Sequence, residues 1–231
     1  MLHLTIGSLI MVKRVIAGLF ILICSVALTC GCDDNKNKKQ LASIDDSVGN
    51  LTIFSLTQSN KDTLPLLLNL GHSFITIENT SSDNMTIGNY ELTPNETICI
   101  GTWSISNHFG VWYNVESNYN SKYNRYDGRI SLTKEISSND ITTITTFIAK
   151  HNYWNPFRNC SYFALNLWNS VADSNEKLKK PIIYSPTHVT QEIKKFNNYE
   201  YNRPLPTNSN MGYYSNAKFV SFNMKGEDKY V

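Results

Sequence analysis

The sequence predicts an α+β domain in which an antiparallel sheet packs against a helix with a cysteine at its N-terminus. Three observations lead there. Short strand-like runs separated by turn signals fill Leu51 to Val115. Helical periodicity takes over between Asp140 and Phe196. Between these helices, Asn159-Cys160 opens the amphipathic stretch Asn-Cys-Ser-Tyr-Phe-Ala-Leu-Asn-Leu-Trp-Asn.

Taken in order, Leu51-Thr-Ile-Phe-Ser-Leu-Thr reads as the first strand, and Asn69 gives a weak turn signal. Gly71 leads into a strand over His72–Glu78, with Ser73, Ile75 and Ile77 on one face and His72, Phe74 and Thr76 on the other. The turn cluster Thr80–Asn84 then predicts Met85–Leu92 as its antiparallel return strand. Thr97–Gly101 and Val111–Val115 are further short strands, and the polar, tyrosine-rich Asn118–Asp127 is a surface loop. Asp140–Lys150 places Ile141, Ile144 and Ile148 on one helical face, with Ser138 or Asn139 as its cap. The next helix, Asn159–Val171, has the stripe Cys160, Ala164, Leu167 and Val171, supported by Phe163 and Trp168. Asn159 as N-cap puts Cys160 in the first turn. A third helix starts at Ser185-Pro186, with serine as cap and proline at the first position, and continues through Val189, Ile193 and Phe196. From Asn202 the tail is irregular except for Ala217–Met224, which alternates like an edge strand.

Residues 1–32 are set apart as a targeting segment. Lys13 and Arg14 form a positive start, Met11 is an equally good initiator, and Val15–Leu28 is apolar but short for a membrane span. The run ends in Leu28-Thr29-Cys30-Gly31-Cys32, similar to a bacterial lipobox, with Cys32 (or Cys30) as the acceptor of lipid. Ordinary signal cleavage is the alternative. Residues 33–48 are polar and lysine-rich, as expected of a flexible tether, and 49–231 form the domain. The protein is thus expected in the cell envelope, anchored to a membrane by lipid.

A formal charge of +2, with no basic stripe, argues against nucleic acid as a partner. Only Cys99 and Cys160 of the five cysteines fall in the domain. They read as one buried and one working thiol rather than a disulfide framework. No Cys-x-x-Cys spacing marks a zinc site, and no cofactor is called for.

A helix N-terminus lowers a thiol pKa, and an imidazole on a facing strand takes the proton. Cys160 and His72 therefore form the candidate catalytic pair, Cys160 as nucleophile and His72 as general base. The backbone N–H of Cys160 is an expected oxyanion donor. His108, His151 and His188 read as surface histidines, and Cys99 as a buried strand residue. Trp103, Trp112, Tyr113 and Trp154 read as core, with a ligand groove as the alternative. Arg158 is either a solvated charge or a group that helps a thiolate or a substrate carboxylate.

The segments around His72 and Cys160, in that order along the chain, resemble the circularly permuted branch of the NlpC-type, papain-like superfamily, which includes lecithin–retinol acyltransferase-like proteins. The resemblance covers roughly Gly71 to Lys195. It implies a permuted papain-like fold and a thiol hydrolase or acyltransferase that forms a thioester on an amide or ester substrate, either wall peptide or lipid. It also implies a polar third residue on the strand after the histidine strand, where Thr86, Asn89 and Glu91 lie. A hairpin closing at Ser81–Ser82 would set Glu91 opposite His72, which makes Glu91 and Asn89 the candidates to orient the imidazole. Two other readings stay open: a non-catalytic envelope lipoprotein that binds a ligand, and a secreted effector.

Overall fold

The structure is a computed structural model that describes residues 47–57 and 71–223. The leader, the Cys30/Cys32 motif, nearly all of the tether and Asn69 lie outside the described residues. Asp46–Val231 forms a compact unit of its own.

Its frame is an α+β arrangement around one eight-stranded sheet in which every pairing is antiparallel. The strands are β1 (Gly49–Leu56), β2 (His72–Asn79), β5 (Thr97–Ile105), β6 (His108–Tyr113), β7 (Ile130–Ile136), β8 (Glu200–Tyr201), β9 (Gly212–Ser215) and β10 (Lys218–Ser221). Their order is β10-β9-β6-β5-β2-β1-β7-β8, so β2 is central, between β1 and β5. Among the described residues the helices are α1 (Val115–Tyr123), α2 (Ser138–Lys150), α3 (Cys160–Val171) and α4 (Pro186–Ile193).

Period-two alternation divides the sheet into two apolar faces. Leu51, Ile53, Ile75, Ile77, Ile98 and Ile100 face α2, α3 and α4, where they meet Ile144, Ile148, Phe163, Leu167, Trp168, Val189 and Ile193. Phe54, Phe74, Cys99, Trp103, Ile105 and Trp112 face the other way, under Val115 and Tyr119 of α1 and Leu205 and Met211 of the later chain. The buried α3 residues Phe163, Ala164, Leu167, Trp168 and Val171 follow the expected stripe. The caps obey local chemistry. Ser185 accepts from His188 N–H with Pro186 at the first position. At α2, Ser137 forms a capping box with Asp140; the cap precedes both expected residues, Ser138 and Asn139.

Three expectations need correction. Met85–Leu92 is not the return strand of β2. It breaks at Gly88-Asn89, both at positive φ (53° and 66°), into β3 (Met85–Ile87) and β4 (Tyr90–Leu92), which pair only with each other. Two successive left-handed residues make the tight turn of a two-residue hairpin. The strand beside β2 is β5 instead, in the register Ile75↔Ile100 and Thr76↔Cys99. Val111–Val115 ends as a strand at Tyr113, and much of the expected loop at 118–127 is helix α1. Strands β7, β8 and β9 were not foreseen; β9 lies in the part of the tail expected to be irregular and pairs with β10, the edge strand that falls within the expected Ala217–Met224.

Candidate active site

Cys160 is the first residue of α3. The Asn159 side chain caps that helix by accepting from Ser161 N–H (3.0 Å) and Tyr162 N–H (3.1 Å). Phe163 N–H closes the first turn onto the Asn159 carbonyl. Among the described residues the Cys160 N–H is left without an acceptor, which suits an anionic oxygen. Cys160 as a residue is half-buried, whereas Cys99 is wholly buried.

His72 opens β2 immediately after Gly71, whose φ of +86° and whose closeness to the Leu56 carbonyl leave no place for a Cβ. The imidazole is buried, with Trp103 at 4.2 Å, Phe74 at 5.6 Å and Tyr126 at 6.2 Å between ring centroids. It is hydrogen-bonded to the Cys160 thiol on one side and, through Nε2, to Glu116 Oε1 at 2.8 Å on the other. With Nε2 taken by the carboxylate, Nδ1 is the nitrogen left to share a proton with sulfur.

Glu116 is fully buried in the first turn of α1 and also accepts from Trp103 Nε1 at 2.8 Å. Asn114 sets its place. It is the left-handed residue before α1 (φ 59°), its N–H bonds the Cys99 carbonyl, and its Oδ1 accepts from Cys99 N–H. Gly101 on β5 supplies room, because a Cβ there would overlap Glu116 Oε1.

On the helical side of β2, Ser73 donates its backbone N–H to the Cys160 sulfur, and the Ser161 hydroxyl bonds the same atom. Ser161 Oγ meets Ser73 Oγ (3.1 Å), Ser73 meets Ser55 (3.0 Å), and Ser55 is bonded to Thr190 Oγ1 (3.1 Å) and the Pro186 carbonyl (2.9 Å). This buried run of hydroxyls ties the starts of α3 and α4 to β1 and β2.

Burial opposes charge on both partners, yet the pair overcomes it. At His72 desolvation pulls the pKa down, but the Cys160 thiolate and the Glu116 carboxylate together raise it to about 9. At Cys160 desolvation pushes the pKa up, but the imidazolium and the bonds from Ser73 and Ser161 leave it below the ordinary thiol value. Each partner thus favours the charged form of the other. Cys99 goes the other way: burial first, then the Glu116 charge, pushes its thiol well up. In native protein at neutral pH, iodoacetamide is therefore expected to label Cys160 and spare Cys99 until unfolding. Peptide mass spectrometry decides it; equal labelling would contradict the assignment.

The structure thus brings Cys160 and His72 together and separates Glu91 and Asn89 from them. Glu91 is exposed on β4 and accepts from Asn84 Nδ2 at 2.6 Å. Asn89 sits at the hairpin turn with its side chain on the Ala217 carbonyl. Thr86 is exposed on β3. The group that orients the imidazole is Glu116, which sequence reasoning missed because it sought a strand residue. The available signal was a carboxylate two residues after Asn114, following an apolar strand.

The remaining candidates stand apart from this chemistry. His108 stacks on Tyr213 at 4.3 Å, His151 on Phe147 at 3.8 Å, and His188 bonds the Lys179 carbonyl at 2.7 Å. Trp112 and Tyr113 are wholly buried in the core, and Trp154 is half-buried. Arg158 lies over the rings of Tyr153 and Tyr162. Among the described residues no cluster of His, Cys, Asp or Glu could hold a metal ion, and no helix is long and apolar enough to cross a membrane. Comparisons with protein-family models, characterised proteins and solved structures found no match.

Proposed function

We propose that this chain is a thiol hydrolase or acyltransferase of the permuted papain-like kind, acting on an amide or ester bond at the cell envelope. The observation that carries the reading is the line Cys160–His72–Glu116, in which the buried imidazole is hydrogen-bonded to both neighbours. Three further features support it: the histidine precedes the cysteine, the cysteine begins a helix, and that helix packs on an antiparallel sheet. The third member differs from the family expectation, since it comes from helix α1 rather than from the strand after the histidine.

In this reading the Cys160 thiolate attacks the carbonyl carbon, and the oxyanion meets the Cys160 N–H. The His72 imidazolium passes its proton to the leaving amine or alcohol as the C–N or C–O bond breaks, leaving a thioester on sulfur. Neutral His72 then takes a proton from water or an acceptor alcohol or amine, whose heteroatom attacks the thioester. The C–S bond breaks and the proton returns to the pair. Glu116 holds the ring and stabilises its charged form.

Exposure to an activated aryl acyl ester tests the reading. Intact-mass analysis should find one acyl group, mapped to Cys160 and removed by hydroxylamine. Turnover should fall as pH rises through about 9, because His72 then loses the proton it must deliver. It should also fall in acid as the thiolate is protonated. An alkylatable Cys160 that never carries an acyl group would favour a ligand-binding lipoprotein.

A further inference from the structure

Two loops flank the N-terminus of α3, and both carry apolar side chains into solvent. Phe157 is 85% exposed, Ile182 101% and Ile183 78%. A single side chain joins the loops: Asn159 Nδ2 donates to the Pro156 carbonyl (3.3 Å) and to the Tyr184 carbonyl (3.0 Å). The rings of Tyr162 and Tyr184 pack edge to face at 5.0 Å across the same junction. The three apolar tips therefore belong to loops that meet at the start of α3, which Cys160 opens. Fully exposed consecutive isoleucines are costly in water and mark a surface that something apolar covers.

The charges around them say what covers it. Arg158 adjoins Phe157, Lys177, Lys179 and Lys180 lie just before Ile182, and all four are exposed. The acidic residues between Trp154 and Tyr184 are Asp173 and Glu176, and Glu176 is held by Lys134 at 3.0 Å. Apolar tips with exposed cations close by in the chain match the interface of an anionic bilayer, where side chains enter the acyl boundary and lysines meet headgroup phosphates. We infer that the loops 155–158 and 181–184 are a docking surface for an anionic lipid bilayer, which sets the mouth of the Cys160 site against the membrane. The lipobox-like leader and short tether, read from sequence, would hold the domain near such a surface.

The test uses the chain from Asp33 onward, which carries neither the apolar leader nor an acyl chain; both cores of the domain are built from residues within 49–222. Phosphatidylglycerol–phosphatidylcholine vesicles should sediment this chain at low salt, and binding should weaken as salt rises. Combined replacement F157S/I182S/I183S should lower partitioning at least about tenfold. K177Q/K179Q/K180Q should reduce binding to anionic vesicles towards the level with phosphatidylcholine alone. Cys160→Ala should bind like wild type, so this result is independent of the catalytic reading. Absence of sedimentation, or equal sedimentation of the triple serine variant, would overturn the inference. A concentration-dependent dimer that the serine variant abolishes would assign the surface to a second copy instead. A fall in that variant's melting temperature without vesicles would mean that the patch packs on this chain itself.

Discussion

Replacing Cys160 by alanine is expected to abolish covalent acyl transfer and to lower turnover of an activated ester by about 10³-fold or more. The thiolate is the atom that forms the new bond, and no other nucleophile of the site can stand in. Ser161 is turned to Ser73, and Cys99 is buried with its thiol held protonated. His72→Ala should cost nearly as much, because without the imidazolium the sulfur faces the desolvation that opposes its ionisation. The double variant should be little worse than either single one, as expected of groups that work as a unit. Steady-state kinetics of the three variants, with circular dichroism to verify folding, measures this. Simple multiplication of the two losses, or a His72→Ala enzyme with near-normal turnover, would dissolve the pair.

The second large effect is expected at Glu116. Glu116→Ala removes the acceptor shared by His72 Nε2 and Trp103 Nε1 and leaves two buried donors unpaired. Breaking such a buried charged pair costs about 3–5 kcal/mol. For a chain of this size that corresponds to a melting temperature lower by about 10 °C. Glu116→Gln separates charge from shape: it can still accept from a neighbour but no longer stabilises the imidazolium. The His72 pKa should then fall from about 9, and the alkaline loss of turnover should move to lower pH. A glutamine variant whose alkaline limb stays in place would show that Glu116 is structural alone. By the same measurement Glu91→Gln and Asn89→Ala should leave the profile unchanged, since both side chains are exposed and bonded elsewhere.

These expectations show unevenly how far the sequence could be read. The α3 helix was legible because an asparagine cap and a 3.6-residue stripe are local signals. The two faces of β2 were legible from alternation, which separates His72 and Phe74 from Ser73, Ile75 and Ile77. Helix α1 was not. Val115 and Tyr119 are its only buried apolar residues, and its cap is a left-handed Asn114 with no side-chain bond to the first turn. A helix held by a sheet it has yet to meet carries little periodicity of its own.

Strand pairing was the other failure, and it decided the site. Proximity in sequence favours a hairpin between β2 and Met85–Leu92, yet Gly88 and Asn89 turn that segment back on itself. The place beside β2 then falls to β5, which brings Trp103 against the imidazole and Gly101 against the carboxylate.

Local chemistry in the sequence picked out Cys160, its helix and the histidine that faces it, because caps, alternation and helical period act within a few residues. Only the tertiary structure decided which carboxylate completes the line and which hydroxyls support the thiolate. Those contacts join β1, β2, α1, α3 and α4 across long stretches of chain, and their partners are chosen by how the sheet and its two covered faces pack.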